Sequence, residues 1–142
     1  MNARINMVMV SAKDINLLRA FYEQGLGWTP WMPASEGSVA YKVGTSVLIF
    51  VNAAYLAHES GIAQTQSPKS IWAIFVPTKT EVDAAFDRAV RAGAKVTSPI
   101  RDRDGGLYSG YFVDPEGNGW EVVWSPHMPL GADGALELPG AA

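Results

Sequence analysis

Two stretches of this 142-residue chain are written to one plan, and that repetition constrains the fold more than any single motif. In the first, the apolar run Ile5 to Val10 precedes Asp14, which stands as the cap of a helix carrying Ile15, Leu17, Leu18, Phe21 and Tyr22, and Gly25 and Gly27 stop it. Three β-like runs follow, 28–31, 39–43 and 46–51, separated by turn formers. In the second, the run Ile71 to Val76 ends at Pro77, and Thr78-Lys79-Thr80-Glu81 forms a capping box whose hydroxyl and carboxylate satisfy unpaired amides of the first helical turn. A helix with Val82, Ala85, Phe86, Ala89 and Val90 on one face then runs to Gly93. Lys95 to Thr97, LYSGYFV and WEVVWS are strand runs, with DGG and DPEGNG as turns. Each half therefore reads β-α-β-β-β, a duplication of about fifty residues. The expected fold class is α+β, a single domain of two βαβββ modules: module 1 over 4–52, a connector over 53–70 with a short helix at 53–60, module 2 over 71–126, and a Gly/Ala/Pro-rich tail over 127–142.

Composition narrows the partners. Hydrophobic residues make up 48% of the chain, enough to bury a core, and 11 basic against 14 acidic residues leave a formal charge of −3, which gives no electrostatic footprint for nucleic acid or an anionic membrane. The first apolar run is too short for a signal peptide or a bilayer span, and a cytoplasmic location is expected. Without cysteine, and with only His58 and His127, thiolate zinc sites and Cys nucleophiles are excluded and imidazole-rich metal sites are difficult. No nucleophile elbow, phosphate-binding loop, dinucleotide glycine motif or zincin helix occurs.

The strings DINLLRAFYEQGLGW at 14–28, AVRAGAKV at 89–96 and above all GYFVDPEGNGWEVVWSP at 110–126 resemble the vicinal oxygen chelate superfamily, which includes glyoxalase I, bleomycin-resistance proteins and extradiol dioxygenases. The resemblance implies that the modules curl a mixed sheet around a cavity, and that metalloenzyme members place a ligand on the first and last strand of each module. Carried onto this chain, those positions fall at Met7, Leu48, Ile71 and Glu121, and a slip of one residue at the first three brings in Asn6, Ile49 and Ser70. Only Glu121 is a metal ligand of the usual kind, and one carboxylate does not meet the donor count of Zn2+, Mg2+ or Fe2+. The expectation is no metal and no cofactor.

Strand alternation then gives the expected cavity wall: Met7 and Met9, Leu48 and Phe50, Ile71 and Phe75, with Glu121 as the one acid and Tyr111 near it. A carboxylate facing apolar side chains must be solvated, paired or protonated. Glu121 therefore reads either as a ligand anchor or general base, or as a group held within the fold by Tyr111, Arg101 or backbone amides. Arg101 and Arg103 read as part of a solvated turn, with Asp102 and Asp104 beside them. The expected function is metal-free binding of an apolar or aromatic small molecule anchored by Glu121; the alternative is a glyoxalase-like lyase or isomerase using Glu121 as catalytic base. The resemblance also implies a homodimer that completes the cavity across a two-fold axis.

Overall fold

Asp14 does what its position promises: its Oδ1 accepts the Leu17 amide proton at 3.0 Å and starts a helix. In the structure, a computed structural model that describes residues 1, 3, 5–64 and 70–137, the chain divides into two compact units, Met1–Ser67 and Pro68–Ala142.

The first unit contains β1 (Met7–Ala12), α1 (Ile15–Arg19), β2 (Ser38–Val43), β3 (Ser46–Asn52) and α2 (Ala53–Ser60). After Arg19 the helix widens into a π-helical segment, Ala20–Gly25, and Gly27 at φ +80° ends it. The three strands form one sheet in the order β1-β3-β2, with β1 parallel and β2 antiparallel to β3. The expected strand over 28–31 is absent. Pro30 and Pro33 lack the amide protons that a ladder needs, and one bond, from Trp31 N–H to Ala40 O at 2.8 Å, ties this stretch to β2. The core is aromatic. Tyr22 stacks on Phe50 with ring centroids 5.2 Å apart and also meets Trp28 and Tyr41 at 5.0 and 5.7 Å. Burying side chains of this size contributes ~1.5–3 kcal/mol each, and Leu18, Phe21, Val39 and Leu48 complete the cluster.

The second unit contains β4 (Ile71–Phe75), α3 (Lys79–Arg91), β5 (Lys95–Asp102), β6 (Tyr108–Val113) and β7 (Gly119–Trp124), in the sheet order β4-β7-β6-β5. This is the expected β-α-β-β-β. Thr78 caps α3, its Oγ1 accepting from Glu81 N–H and its hydroxyl donating to Glu81 Oε2, both at 3.1 Å. Its buried stripe is Val82, Phe86 and Ala89, and Phe86 meets Phe112 edge to face at 5.9 Å. The β6–β7 hairpin turns on Asp114, whose carboxylate accepts from the backbone amides of Glu116 and Asn118 and from the Asn118 side chain at 2.8–2.9 Å. At the sheet edge β5 is longer than the expected 95–97 and slips twice against β6, once between Val96 and Ser98 and once between Ser98 and Arg101, so that it carries Pro99 at no cost to the ladder. The tail adds a small turn closed by a Leu130–Leu136 bridge; residues 138–142 lie outside the described residues. Among the described residues no helix is long and apolar enough to cross a membrane.

Candidate functional site

The second sheet has two unlike faces. In β6 and β7, Gly110 pairs with Val122 and Phe112 with Trp120, and this face lies under α3, where Phe86 packs. The alternate residues point the other way: Tyr111 pairs with Glu121, Ser109 with Val123, and on the parallel side Ala73 stands beside Glu121 with Ile71 and Phe75 two residues to either side. Glu121 is thus a half-buried acid on a face otherwise set with apolar side chains.

Its partners are close. The buried Ser109 hydroxyl donates to Glu121 Oε2 at 2.8 Å, and Tyr111 stands directly across the β6–β7 ladder from the same residue. Arg103 folds back over this group. Its guanidinium carbon lies 4.8 Å from the centroid of the Tyr111 ring, Nε donates to Ser109 O at 3.2 Å, and Nη2 donates to Ser98 Oγ and Pro99 O, each at 3.0 Å. These bonds span β5 and β6 where the ladder slips, so one side chain both fastens the irregular edge and fixes the tyrosine. Burial, then the hydrogen bond to Glu121 and the nearness of its charge, raise the Tyr111 pKa, with Arg103 pulling the other way. The phenol therefore keeps its proton at neutral pH and above.

The expected site residues divide. Glu121, Tyr111, Ile71 and Phe75 share one face, as the alternation predicts. Met7 and Met9 are exposed on β1 of the first unit, 39% and 60% accessible. Leu48 and Phe50 are a correction: they register with Val8 and Val10, face the helical side and are buried, Phe50 against Tyr22, whereas Val47 and Ile49 share the side of Met7 and Met9. Arg103 is a second correction: it holds the tyrosine instead of lying in a solvated turn, while Arg101, one of the alternatives for holding Glu121, is exposed. Ser109 was signalled by its place two residues before Tyr111, but the role of Arg103 depends on slips in the ladder that no periodicity announces. His58 lies in the last turn of α2 and His127 follows β7; both are exposed.

The sequence profile of the Glyoxalase/Bleomycin resistance protein/Dioxygenase superfamily matches residues 4–122. The chain belongs to this superfamily. Among solved structures, it is similar to a glyoxalase-related enzyme from Fulvimarina pelagi, 29% identical over 96% of this chain and 99% of that one, with a TM-score of 0.89. It is also similar to a glyoxalase/bleomycin resistance protein/dioxygenase family enzyme from Burkholderia phytofirmans PsJN, 25% identical over 86% of this chain and 98% of that one, with a TM-score of 0.75. Lactoylglutathione lyase from Agrobacterium tumefaciens shares the fold, at 21% identity over 87% of this chain and 95% of that one and a TM-score of 0.70. No curated protein sequence matches the chain.

The metal used by some members of the superfamily does not suit the side chains present. On the corresponding faces the first unit offers Met7, Met9, Val47 and Ile49, and the second offers Ile71, Ala73 and Glu121. That is one carboxylate among alkyl groups and thioethers, and the described residues contain no group of three or more His, Cys, Asp or Glu placed to hold an ion.

Proposed function

We propose that this protein binds a small apolar or aromatic molecule without a metal, using Glu121 as the polar anchor and Ile71, Phe75 and Tyr111 as the surface around it. The observation that carries the reading is the Ser109–Glu121–Tyr111 group on an otherwise apolar face: three hydrogen-bonding side chains held in place beside Ile71, which is 61% exposed. Met7 and Met9 supply a second adaptable apolar surface, and the protein acts as a cytoplasmic homodimer. Trp fluorescence titrated with a panel of planar aromatic compounds should show saturable quenching that Glu121→Gln weakens at least about tenfold, a loss of ~1.4 kcal/mol. Silence across the panel would defeat the reading.

A second reading is favoured by the similarity to the Fulvimarina pelagi enzyme: Glu121 takes a proton from the carbon beside a carbonyl and returns it to the neighbouring carbon. Turnover of the hemithioacetal of methylglyoxal and glutathione, with and without added Zn2+ or Ni2+, distinguishes the two. Turnover lost in Glu121→Gln would favour the enzyme; saturable binding without turnover favours the binding protein.

A further inference from the structure

We propose that Ser109 is a positioning residue for Glu121: buried out of a ligand's reach, its hydroxyl sets the carboxylate in place before anything binds. The inference rests on the binding reading above and says what holds its anchor ready. Two polar side chains are buried in the core of the described residues, Ser109 and Asp114. Asp114 is accounted for by the β6–β7 turn, where its carboxylate accepts from Glu116 and Asn118. The Ser109 hydroxyl closes no turn and caps no helix. It is 0% exposed on β6, opposite Val123, where an apolar side chain would serve the core as well, and a hydroxyl withdrawn from water is destabilising unless it is bonded. Its one proton goes to Glu121 Oε2 at 2.8 Å.

Glu121 is a long side chain, and one left free to rotate would have to be ordered by the ligand, which weakens binding. The bond from below fixes one oxygen and with it the rotamer, and leaves Oε1 for a donor on the ligand. The other tie to Ser109 is separate. Its backbone carbonyl accepts from Arg103 Nε at 3.2 Å, and Arg103 lies over the Tyr111 ring with its guanidinium carbon 4.8 Å from the centroid. That contact uses no side-chain atom of Ser109, so removing the hydroxyl frees the carboxylate and leaves the support of the tyrosine in place.

The test uses the full chain, calorimetry at neutral pH and two probes of one shape: indole, whose N–H can donate to Glu121, and 1-methylindole, which has no such proton. Ser109→Ala should weaken indole about threefold to tenfold, the effect of having to order one long side chain, and leave 1-methylindole unchanged. Ser109→Thr, which keeps a hydroxyl, should restore indole. Ser109→Cys, close to serine in shape but a weak donor, should lose indole as the alanine variant does and reads the same point if that variant does not fold. In a Glu121→Ala background the Ser109 substitutions should have no further effect. A role in the fold alone would weaken both probes alike, or would persist once Glu121 is gone; either result, or indole bound equally by the parent and by Ser109→Ala, overturns the inference and leaves the binding reading intact. If neither probe binds the parent chain although the aromatic panel yields a ligand, the inference alone is wrong; silence in both experiments overturns the reading as well.

Discussion

Gly110 shows how far a single residue governs this protein. A β-carbon there would lie 2.5 Å from Phe86 Cε2 and 2.8 Å from Ile100 Cγ1, so the absence of a side chain is what lets α3 lie on the sheet behind Tyr111. Gly110→Ala should cost about 1–3 kcal/mol through overpacking, read as a lower urea midpoint at unchanged slope. Gly37→Ala, where a β-carbon meets nothing within 4 Å, is the control and should change stability by less than about 0.5 kcal/mol. Equal effects from the two would show that the close approach at Gly110 is not rigid. At this scale the sequence was legible wherever alternation alone decides: Glu121, Tyr111, Ile71 and Phe75 fall together because residues two apart share a face. Leu48 and Phe50 fall on the other face because the position carried over from the resemblance is one residue out of register in β3, and an error of one position sends every side chain in a strand to the opposite face.

Elements are joined by side chains as much as by ladders. The Tyr41 hydroxyl on β2 donates to Glu23 Oε2 at 2.9 Å in the π-helical segment, and Arg19 on α1 reaches the same carboxylate at 2.8 and 3.1 Å. The hydrogen bond from Arg19 holds Glu23 below the usual carboxylate range, while burial and then the bond to Glu23 push the Tyr41 phenol well above its ordinary value. The two groups act in opposite directions. Glu23 contributes stability above the ordinary carboxylate pKa that is lost as pH falls; the folded state holds the Tyr41 proton more tightly than the unfolded chain does, so that contribution is whole below about pH 10 and declines above it. Tyr41→Phe should therefore flatten the fall in stability between about pH 10 and 11, measured by urea unfolding at stepped pH. An unchanged slope would show that this phenol does not contribute. Such links were hidden in the sequence because Glu23 and Tyr41 are distant along it, whereas two of the helix caps, Asp14 and Thr78, were readable from local spacing. The missing strand over 28–31 shows the limit of β propensity where two prolines interrupt the ladder.

Across the whole molecule, β1 and β4 are outer strands of their sheets and carry exposed Met7, Met9, Ile71 and Ile74. Unpaired apolar edges invite another chain, and this underlies the proposed homodimer. Sedimentation should give twice the mass of 15.3 kDa, and Met9→Lys should shift it toward the single chain. A parent chain that sediments singly at tens of micromolar would refute the dimer, and a dimer unmoved by Met9→Lys would remove β1 from it. The order of elements was legible at this scale because the duplication repeats its punctuation, a capped helix followed by a glycine stop. Each unit also holds more residues at one place than regular geometry requires. The π-helical turn at Ala20–Gly25 stores one in the first, and β5 spends eight residues, Lys95–Asp102, against the six of Tyr108–Val113 in the second. These are the molecule's points of slack: an insertion or deletion of one residue can be taken up there by tightening or loosening a coil or a bulge, while elsewhere in a strand it would turn the lining inside out.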